Sequence, residues 1–163
     1  MTEQIIMVQV SDPEWTAGAL HLACRLAQRH DAQLALVHLI PVQHLGWLGT
    51  DFAYSLVTPQ TQRQLHKFEL TLEDYGMISA TYVMQCISLT QGIVQAAELI
   101  GAQIVFAHLP KSFLPYWAKF EWNSLRRRLA RQHRMLMEQD MALLDARTMG
   151  QSEAVELGLS LRH

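Results

Sequence analysis

The fold is decided by residues Ile5–Ile40, which read "IIMVQVSDPEWTAGALHLACRLAQRHDAQLALVHLI". The run Ile5–Val10 is short and almost wholly apolar, as expected for a parallel strand that is covered on both faces. Asp12 and Pro13 then predict the start of a helix, because Asp is a good cap and Pro has the backbone angle of a first helical residue. A second buried strand is predicted over Gln33–Ile40. Strand, helix and strand in this order indicate a parallel βαβ unit.

Beyond this unit, apolar spacing predicts further helices and strands in alternation. Glycines at 76 and 101 stand where the second and third helices should end. Alternating elements of this kind predict an α/β fold with a parallel sheet and helices on both faces. The predicted helices are Pro13–His30, Thr58–Tyr75, Thr90–Ile100 and one that opens at Asn123 or Ser124 and ends near Gln139, and the later strands are 79–86, 103–107 and 141–146.

The composition of the 163-residue chain favours a single folded domain. Hydrophobic residues make up 50% of the chain and charged residues only 17%, which favours an oligomer or a protein partner. The formal net charge of −2 gives no reason to expect nucleic-acid binding. We expect a domain over residues 1–146 and a loose C-terminal tail over residues 147–163.

The two cysteines and the hydropathy pattern indicate a reducing compartment. Cys24 and Cys86 fall inside a predicted helix and a predicted strand, without the spacing of a metal site. They are therefore expected to be buried thiols rather than a disulfide. No basic leader with an apolar core opens the sequence, and no apolar run has the length of a membrane span. These features predict a cytoplasmic protein without membrane contact.

The order of the elements resembles that of the universal stress protein family. The residues that carry the resemblance are Ile5–Ile40, "LEDYGMISATYVMQC" at 72–86 and "IVQAAELIGAQIVFA" at 93–107, which lie within a range, 5–107, of about two-thirds of the chain. The resemblance implies a doubly wound, Rossmann-like sheet of five parallel strands in the order 3-2-1-4-5. It also implies a role in stress response and a homodimer that pairs through the last strand. The candidate dimer edge is Met141, Ala142, Leu143 and Leu144.

The chain departs from the nucleotide-binding branch of that family. There an Asp ends the first strand and a Gly-x2-Gly-x9-Gly-Ser/Thr loop follows the fourth. Here Ser11 takes the position of that Asp, Asp12 comes one residue late, and no glycine occurs between Gly101 and Gly150. A phosphate cradle needs backbone N–H groups that approach the anion closely, and side chains at these positions obstruct that approach. The sequence thus predicts a degenerate nucleotide-binding site and no cofactor, with ATP and AMP disfavoured.

The alternative function is a sensor that binds an adenine nucleotide or a small anion at the ends of strands one and four. His108 and Lys111 fall near the positions of the first two family glycines. Asn123 or Ser124 would open a helix whose N–H groups can face an anion, although simple capping explains the same residues. The candidate binding residues are Ser11, Asp12, His108, Lys111, Asn123 and Ser124.

The stretch 108–124, "HLPKSFLPYWAKFEWNS", has aromatic residues where the family has its glycine-rich loop. One interpretation is that the rings fold down and fill the empty nucleotide cleft. The other is that they form a surface for a second subunit or a protein partner. A membrane-surface contact fits the neighbouring arginines, but the net negative charge of the chain disfavours it. The candidate interaction residues are Phe113, Tyr116, Trp117, Phe120 and Trp122.

The sequence has no pattern that is typical of catalysis or of a metal site. Its eight histidines are not spaced with cysteine or acidic residues in the manner of metal ligands. His38 and His108 lie near the ends of inner strands, where doubly wound sheets bind ligands. We therefore predict that the protein is not an enzyme and that it is a universal-stress-protein-like regulatory or interaction module.

Overall fold

The computed structural model describes residues 3–42, 46, 57–110 and 114–137. Within these residues, strands and helices alternate along the chain, as the sequence predicts. The strands are β1 (Ile5–Val10), β2 (Gln33–Pro41), β3 (Ser79–Cys86), β4 (Ile104–Phe106) and β5 (Met135–Met137). The helices are α1 (Pro13–His30), α2 (Pro59–Asp74), α3 (Leu89–Ile100) and α4 (Pro115–Arg131).

The five strands form one parallel sheet in the order β3-β2-β1-β4-β5. In the register of the sheet, Val8 of β1 lies opposite Phe106 of β4. The strand order reverses direction between β1 and β4, and parallel strands end at the same edge, so the chain leaves both strands side by side. The doubly wound α/β fold and the order 3-2-1-4-5 implied by the resemblance are confirmed.

The sheet is buried on both faces, and alternate residues of β1 belong to different core clusters. Ile6 and Val8 pack on the face that α1 and α2 cover, whereas Met7 packs on the face that α3 and α4 cover. Leu20 of α1 and Leu125 of α4 are both fully buried. Helices α1 and α4 are therefore held on opposite faces of the sheet, and each returns from the edge where β1 and β4 end.

The start of α3 differs from its prediction. The backbone N–H of Gln91 donates a hydrogen bond to the hydroxyl of Ser88, so Ser88 is the cap and α3 begins at Leu89. Thr90, the predicted cap, lies inside the first turn. Ser and Thr both suit a helix cap, and they stand two positions apart here, so their side-chain chemistry alone does not separate them.

The last helix differs most from its prediction. Helix α4 runs without a break from Pro115 to Arg131, so the predicted start at Asn123 or Ser124 is wrong. Proline at the start of a helix loses nothing by its missing N–H, because that group would have no helical partner. Trp122, which precedes the predicted start, packs against the core cluster and extends the inner face of the helix toward its beginning.

The fifth strand also corrects the sequence prediction. Met135–Met137 pairs with β4 in the sheet, whereas the predicted strand at 141–146 lies outside the described residues. Helix α4 ends at Arg131, well before the predicted end near Gln139. His133 has a left-handed backbone angle, φ 57°, and this turn redirects the chain to the edge of the sheet.

The candidate dimer edge, Met141 to Leu144, and the tail over 147–163 lie outside the described residues as well. The predicted domain boundary at residue 146 stays a prediction. Within the described part of the chain, no helix is both long and apolar enough to cross a membrane.

Candidate functional site

A small polar cluster lies where β1 and β4 end, at the reversal of the strand order. The Ser11 Oγ atom is 3.0 Å from the Nδ1 atom of His108, which joins the end of β1 to the segment after β4. Both side chains are partly buried. Ser11 and His108 are both in the set of candidate binding residues predicted from the sequence. In the structure their side chains are within hydrogen-bond distance.

A buried glutamine, Gln9, fixes the position of His108 in this cluster. The backbone N–H of His108 donates to the Oε1 atom of Gln9 over 2.9 Å. Gln9 is only 2% exposed, although it lies in a strand whose other residues are apolar. A buried amide without a partner would cost a few kcal/mol, so this bond fixes the position of the chain after β4.

An indole ring covers the imidazole. The rings of Trp15 and His108 are stacked with their centroids 5.1 Å apart and their planes at 27°. Trp15 lies in the first turn of α1, four residues after Ser11, and is partly buried. We refer to Gln9, Ser11, Trp15 and His108 as the switch-point cluster.

The start of α1, beside this cluster, has its donors in use. The Asp12 carboxylate accepts hydrogen bonds from the backbone N–H groups of Glu14 and Trp15, at 3.0 and 3.2 Å. The N–H of Thr16 donates to the Asp12 carbonyl at 2.8 Å, and Pro13 has no N–H to offer. The first-turn donors that bind an anion at many helix starts are therefore occupied by Asp12. Asp12 caps the helix, as its position in the sequence predicts.

The segment after β4 does not form a phosphate cradle in its described part. The N–H of His108 is bonded to Gln9, and Pro110 has no N–H. Residues 107–110 have no glycine, so side chains project where a bare backbone would meet a phosphate. Lys111, another candidate binding residue, lies outside the described residues, and so does Phe113.

Asn123 and Ser124 do not open a helix, so the prediction of an anion site on a helix start at these residues is wrong in its premise. Both lie at the middle of α4, eight and nine residues after Pro115. At that position their backbone N–H groups are helix-interior donors and are not available at an exposed end. Asn123 is exposed and Ser124 is partly buried.

The aromatic residues of α4 divide between its two sides. Tyr116 is 89% exposed, Trp117 56% and Phe120 64%. The Trp117 and Phe120 ring centroids lie 5.8 Å apart, so these exposed rings contact each other. Trp122 alone among the described candidates packs against the core. Filling of the nucleotide cleft by Tyr116, Trp117 and Phe120 is thus excluded by their exposure.

Cations continue this exposed side toward the end of the helix. At 3.6 residues per turn, Tyr116, Phe120, Arg127 and Arg131 fall on one side, opposite the buried Leu125. Both arginines are exposed. Helix α4 has five cationic side chains and one carboxylate, against thirteen and fifteen in the whole chain. We define the outer face of α4 as Tyr116, Trp117, Phe120, Arg127 and Arg131.

The described residues offer no reactive thiol. Cys24 and Cys86 are free and buried, as predicted. Burial raises the pKa of the Cys24 thiol from 9.0 to about 11 and also raises the pKa of Cys86. Burial thus favours the protonated form of both thiols, which is the less nucleophilic form. Among the residues that the structure describes, no group of three or more histidine, cysteine or acidic side chains is arranged to hold a metal.

A second histidine, His38, lies near the same edge of the sheet and has a buried ring nitrogen without a hydrogen-bond partner within the described residues. His38 lies beside Val10 in the register of β1 and β2. That nitrogen is the Nδ1 atom. Burial lowers the pKa of His38, so the neutral ring is favoured at this position. His38 does not contact Ser11 through any described hydrogen bond, so it stays apart from the switch-point cluster.

Gln9 and Trp15 are the site residues that the sequence did not reveal as such. Gln9 is the one polar residue in the otherwise apolar β1, and that irregularity is the available signal. Trp15 follows Ser11 by one helical turn, but its spacing also fits an ordinary surface position. Their roles arise from the pairing of β1 with β4, which brings together residues almost 100 positions apart.

The fold and this site define a doubly wound, Rossmann-like α/β protein with its polar cluster at the topological switch point. The chain has the universal stress protein fold. A protein of that family from Burkholderia pseudomallei has a similar structure, with a TM-score of 0.57 and 18% identity over 82% of this chain and 95% of that one.

Two further solved structures give the same result. A universal stress protein in complex with cAMP is similar at a TM-score of 0.57 and 13% identity, over 84% of this chain and 97% of that one. A universal stress protein from Archaeoglobus fulgidus is similar at a TM-score of 0.55 and 15% identity, over 82% and 91%. No protein-family model matches the sequence, and no curated protein matches it either. The resemblance inferred from the sequence is therefore confirmed at the level of the fold.

Proposed function

We propose that this chain is a regulatory or interaction module with the universal stress protein fold, and that it binds a protein partner through the outer face of α4. The observation that carries the proposal is the exposure of three aromatic side chains at the start of that helix, Tyr116, Trp117 and Phe120. Exposed aromatic residues that lie next to one another are typical of binding surfaces, where Trp and Tyr contribute most of the binding energy.

The charge of α4 indicates the chemistry of the partner. Arg127 and Arg131 follow the rings along the same side, and the one carboxylate of the helix, Glu121, is partly buried and lies away from that side. A complementary surface would have an apolar pocket for the rings and acidic residues about one to three helical turns further on. The partner that we infer is thus an acidic protein surface with an apolar pocket.

Binding of ATP in the manner of the nucleotide-binding branch is not part of this proposal. Asp12 occupies the donors at the start of α1, and Gln9 occupies the N–H of His108. A triphosphate would have to replace these bonds as well as pass the side chains of the loop. The comparison with a cAMP complex concerns that protein and gives no ligand for this one.

The proposal is tested by capture from an extract of the native cells, followed by direct binding of the purified partner. The full chain is compared with Trp117→Ala and with Leu99→Ala, a matched control because Leu99 is 76% exposed on α3. We expect an acidic protein that the full chain and the Leu99 variant retain and that Trp117→Ala loses. Its affinity should fall about tenfold or more on removal of Trp117, as for an interface hot spot. Equal affinity for all three chains would refute the proposal.

A second candidate function is favoured by one contact, the 3.0 Å distance between Ser11 Oγ and His108 Nδ1. Ser11, His108 and Trp15 offer a hydroxyl, an imidazole and a stacking surface, which suit a small ligand such as an adenine nucleotide or an anion. Thermal denaturation with ATP, AMP and inorganic phosphate separates the two functions. A ligand present at 1,000 times its Kd would stabilise the fold by about 4 kcal/mol. A shift of the melting temperature that His108→Ala abolishes would favour the sensor over the interaction module.

Three further expectations belong to the same proposal. The chain forms a homodimer through Met141, Ala142, Leu143 and Leu144, it is located in the cytoplasm, and it has a regulatory rather than a catalytic role in the stress response. Sedimentation of the full chain and of a Leu143→Asp variant tests the dimer: the variant should be monomeric where the unaltered chain is dimeric. Dimers in both chains would mean that this edge is not the interface.

A further inference from the structure

The end of β5 lies at the same edge of the sheet as the start of α4. Strand β5 is parallel to β4, with Met137 opposite Phe106, so the chain leaves β5 at the edge of the sheet where β4 ends. Helix α4 starts from that same edge, because it returns the chain from the end of β4 to the start of β5. Met137 therefore lies at the edge of the sheet from which α4, with its exposed rings, starts.

The charge of the following segment is opposite to that of α4. Residues 138–163 have five carboxylates and two arginines, whereas α4 has five cations and one carboxylate. Within the described residues, none of the α4 cations forms an ion pair. Residues 138–163 also have apolar side chains for the rings of α4, among them Met141, Leu143 and Leu144. Residues 138–163 are therefore complementary to the outer face of α4 in both charge and hydropathy.

We propose that residues 138–163 dock against the outer face of α4 of the same chain. The apolar residues near the beginning of the segment cover Trp117 and Phe120, and Glu153 and Glu156 lie against Arg127 and Arg131. The inference rests on the proposed function, because it names what occupies the binding surface until a partner displaces it. In the docked state Met141 to Leu144 are used within the chain, and they form the dimer edge only when the segment is undocked. Docking of the segment would make partner binding subject to competition, so the acidic partner must compete with an acidic segment of the chain itself.

The lengths are compatible with this arrangement. Helix α4 is 17 residues long, about 25 Å at 1.5 Å per residue. The segment has 26 residues, which can span about 39 Å even as a helix. The first apolar residues of the segment come shortly after Met137, and Glu153 follows Leu144 by nine residues. Nine residues correspond to about 14 Å in a helix and about 30 Å when extended, and both values reach from the rings to the arginines.

The test measures the solvent accessibility of the Trp117 ring in the full chain. The four tryptophans are replaced by 5-fluorotryptophan, and the fluorine line of Trp117 is assigned with a Trp117→Phe variant. A soluble gadolinium chelate then broadens each line in proportion to the exposure of its ring. If the segment docks, the Trp117 line of the full chain should broaden less than that of a Glu153→Lys/Glu156→Lys variant. The undocked fraction should rise about threefold to tenfold, because two favourable surface charge contacts become repulsive.

A matched variant controls for net charge. Glu73→Lys/Asp74→Lys makes the same change of charge at two exposed residues of α2. It should leave the Trp117 line of the full chain as it is. Equal broadening in the unaltered chain and the Glu153/Glu156 variant would overturn the proposal, and so would an equal effect of the control.

Dilution distinguishes the chain's own segment from a second copy. Docking within one chain does not depend on concentration, whereas shielding by a second copy is lost on dilution. Concentration-dependent shielding would overturn the proposal and would favour the use of Met141–Leu144 as a dimer edge. The proposed function fails separately. If residues 138–163 shield Trp117 but Trp117→Ala leaves the affinity for the partner unchanged, only the proposed partner binding is refuted. If the affinity for the partner falls and Trp117 is not shielded, only the proposed docking of residues 138–163 is refuted.

Discussion

Helices α1 and α4 start from the same edge of the sheet, after the two neighbouring strands β1 and β4, and both have proline at their first position. Their starts nevertheless differ. At α1 the Asp12 side chain accepts two backbone hydrogen bonds, and Trp15 is stacked on His108. At α4 the cap residue is Leu114, whose side chain makes no capping bond, and the first turn presents exposed Tyr116.

The difference indicates where binding energy remains available. Polar groups that are already paired within the protein must break those bonds before they bind a ligand, whereas an exposed ring gains by burial without such a loss. Full burial of a large apolar side chain is worth about 1.5 to 3 kcal/mol. The start of α1 is therefore a structural site whose polar groups are already paired, whereas the rings at the start of α4 can bind a partner without breaking polar bonds.

The largest expected effect distinguishes the two sides of α4 itself. Leu125→Ala should destabilise the protein by about 2 to 5 kcal/mol, because Leu125 is fully buried and its loss leaves a cavity. Phe120→Ala on the outer face should change stability by less than about 1 kcal/mol. Urea denaturation of the two variants measures both values. Similar destabilisation by both changes would mean that the rings of the outer face are part of the core.

The next effect concerns the packed side of α1 and appears at high pH. Burial raises the pKa of Cys24 from 9.0 to about 11. Between these values the unfolded thiol loses its proton and the folded thiol keeps it, so stability falls as the pH rises. The loss should approach about 2 to 3 kcal/mol above the folded pKa. Urea denaturation across this pH range should show the slope, and Cys24→Ala should reduce it. An unchanged slope in the variant would show that Cys24 is accessible when folded.

A smaller loss is expected from the cap of α1. Asp12→Ala removes the carboxylate that accepts from Glu14 and Trp15 and should cost about 0.5 to 2 kcal/mol. Thr90→Ala serves as the control, since Thr90 is not the cap of α3 and should change stability by less than about 0.5 kcal/mol. Thermal denaturation compares the two. If Thr90→Ala costs as much as Asp12→Ala, the capping bonds of Asp12 are not the cause.

The smallest effect would make α4 more like α1. Leu114→Ser introduces a capping hydroxyl before Pro115, and the expected gain in stability is about 0.5 to 1 kcal/mol. The comparison is with Leu114→Ala, which shortens the side chain without adding an acceptor. Denaturant midpoints of the two variants give the difference. No gain of Ser over Ala would indicate that the start of α4 already has its donors satisfied by other groups.

Most strands of the sheet could be predicted from the sequence. Strands β1 and β3 have their predicted bounds: β1 is an apolar run that ends before Ser11 and Asp12, and β3 ends two residues before Ser88, the cap of α3. The start of α4 could not be predicted in this way. Pro115 and Asn123 both suit the beginning of a helix, and the choice between them depends on Trp122 packing against the core. A strand of only three residues, Met135–Met137, is too short for its apolar pattern to be distinguished from helix.

The site was predictable in part for a similar reason. Ser11 and His108 are candidates for one site because the family resemblance places them at the ends of strands one and four, and parallel strands end at the same edge of a sheet. The direction of the aromatic rings was left open, because a run of rings fits a buried plug and an exposed surface equally well. Whether Trp117 faces the cleft or the solvent depends on the rotation of α4 about its axis, which the burial of Leu125 and Leu129 fixes.

Two tryptophans report on the two regions in one measurement. Trp15 stacks on His108 in the switch-point cluster, and Trp117 lies on the outer face of α4. With 5-fluorotryptophan in the full chain, ATP with Mg²⁺ is added first and the purified partner second. The account predicts that ATP leaves the Trp15 line unchanged and that the partner shifts or broadens the Trp117 line. A saturable shift of the Trp15 line with ATP, together with a Trp117 line that no partner affects, would contradict it.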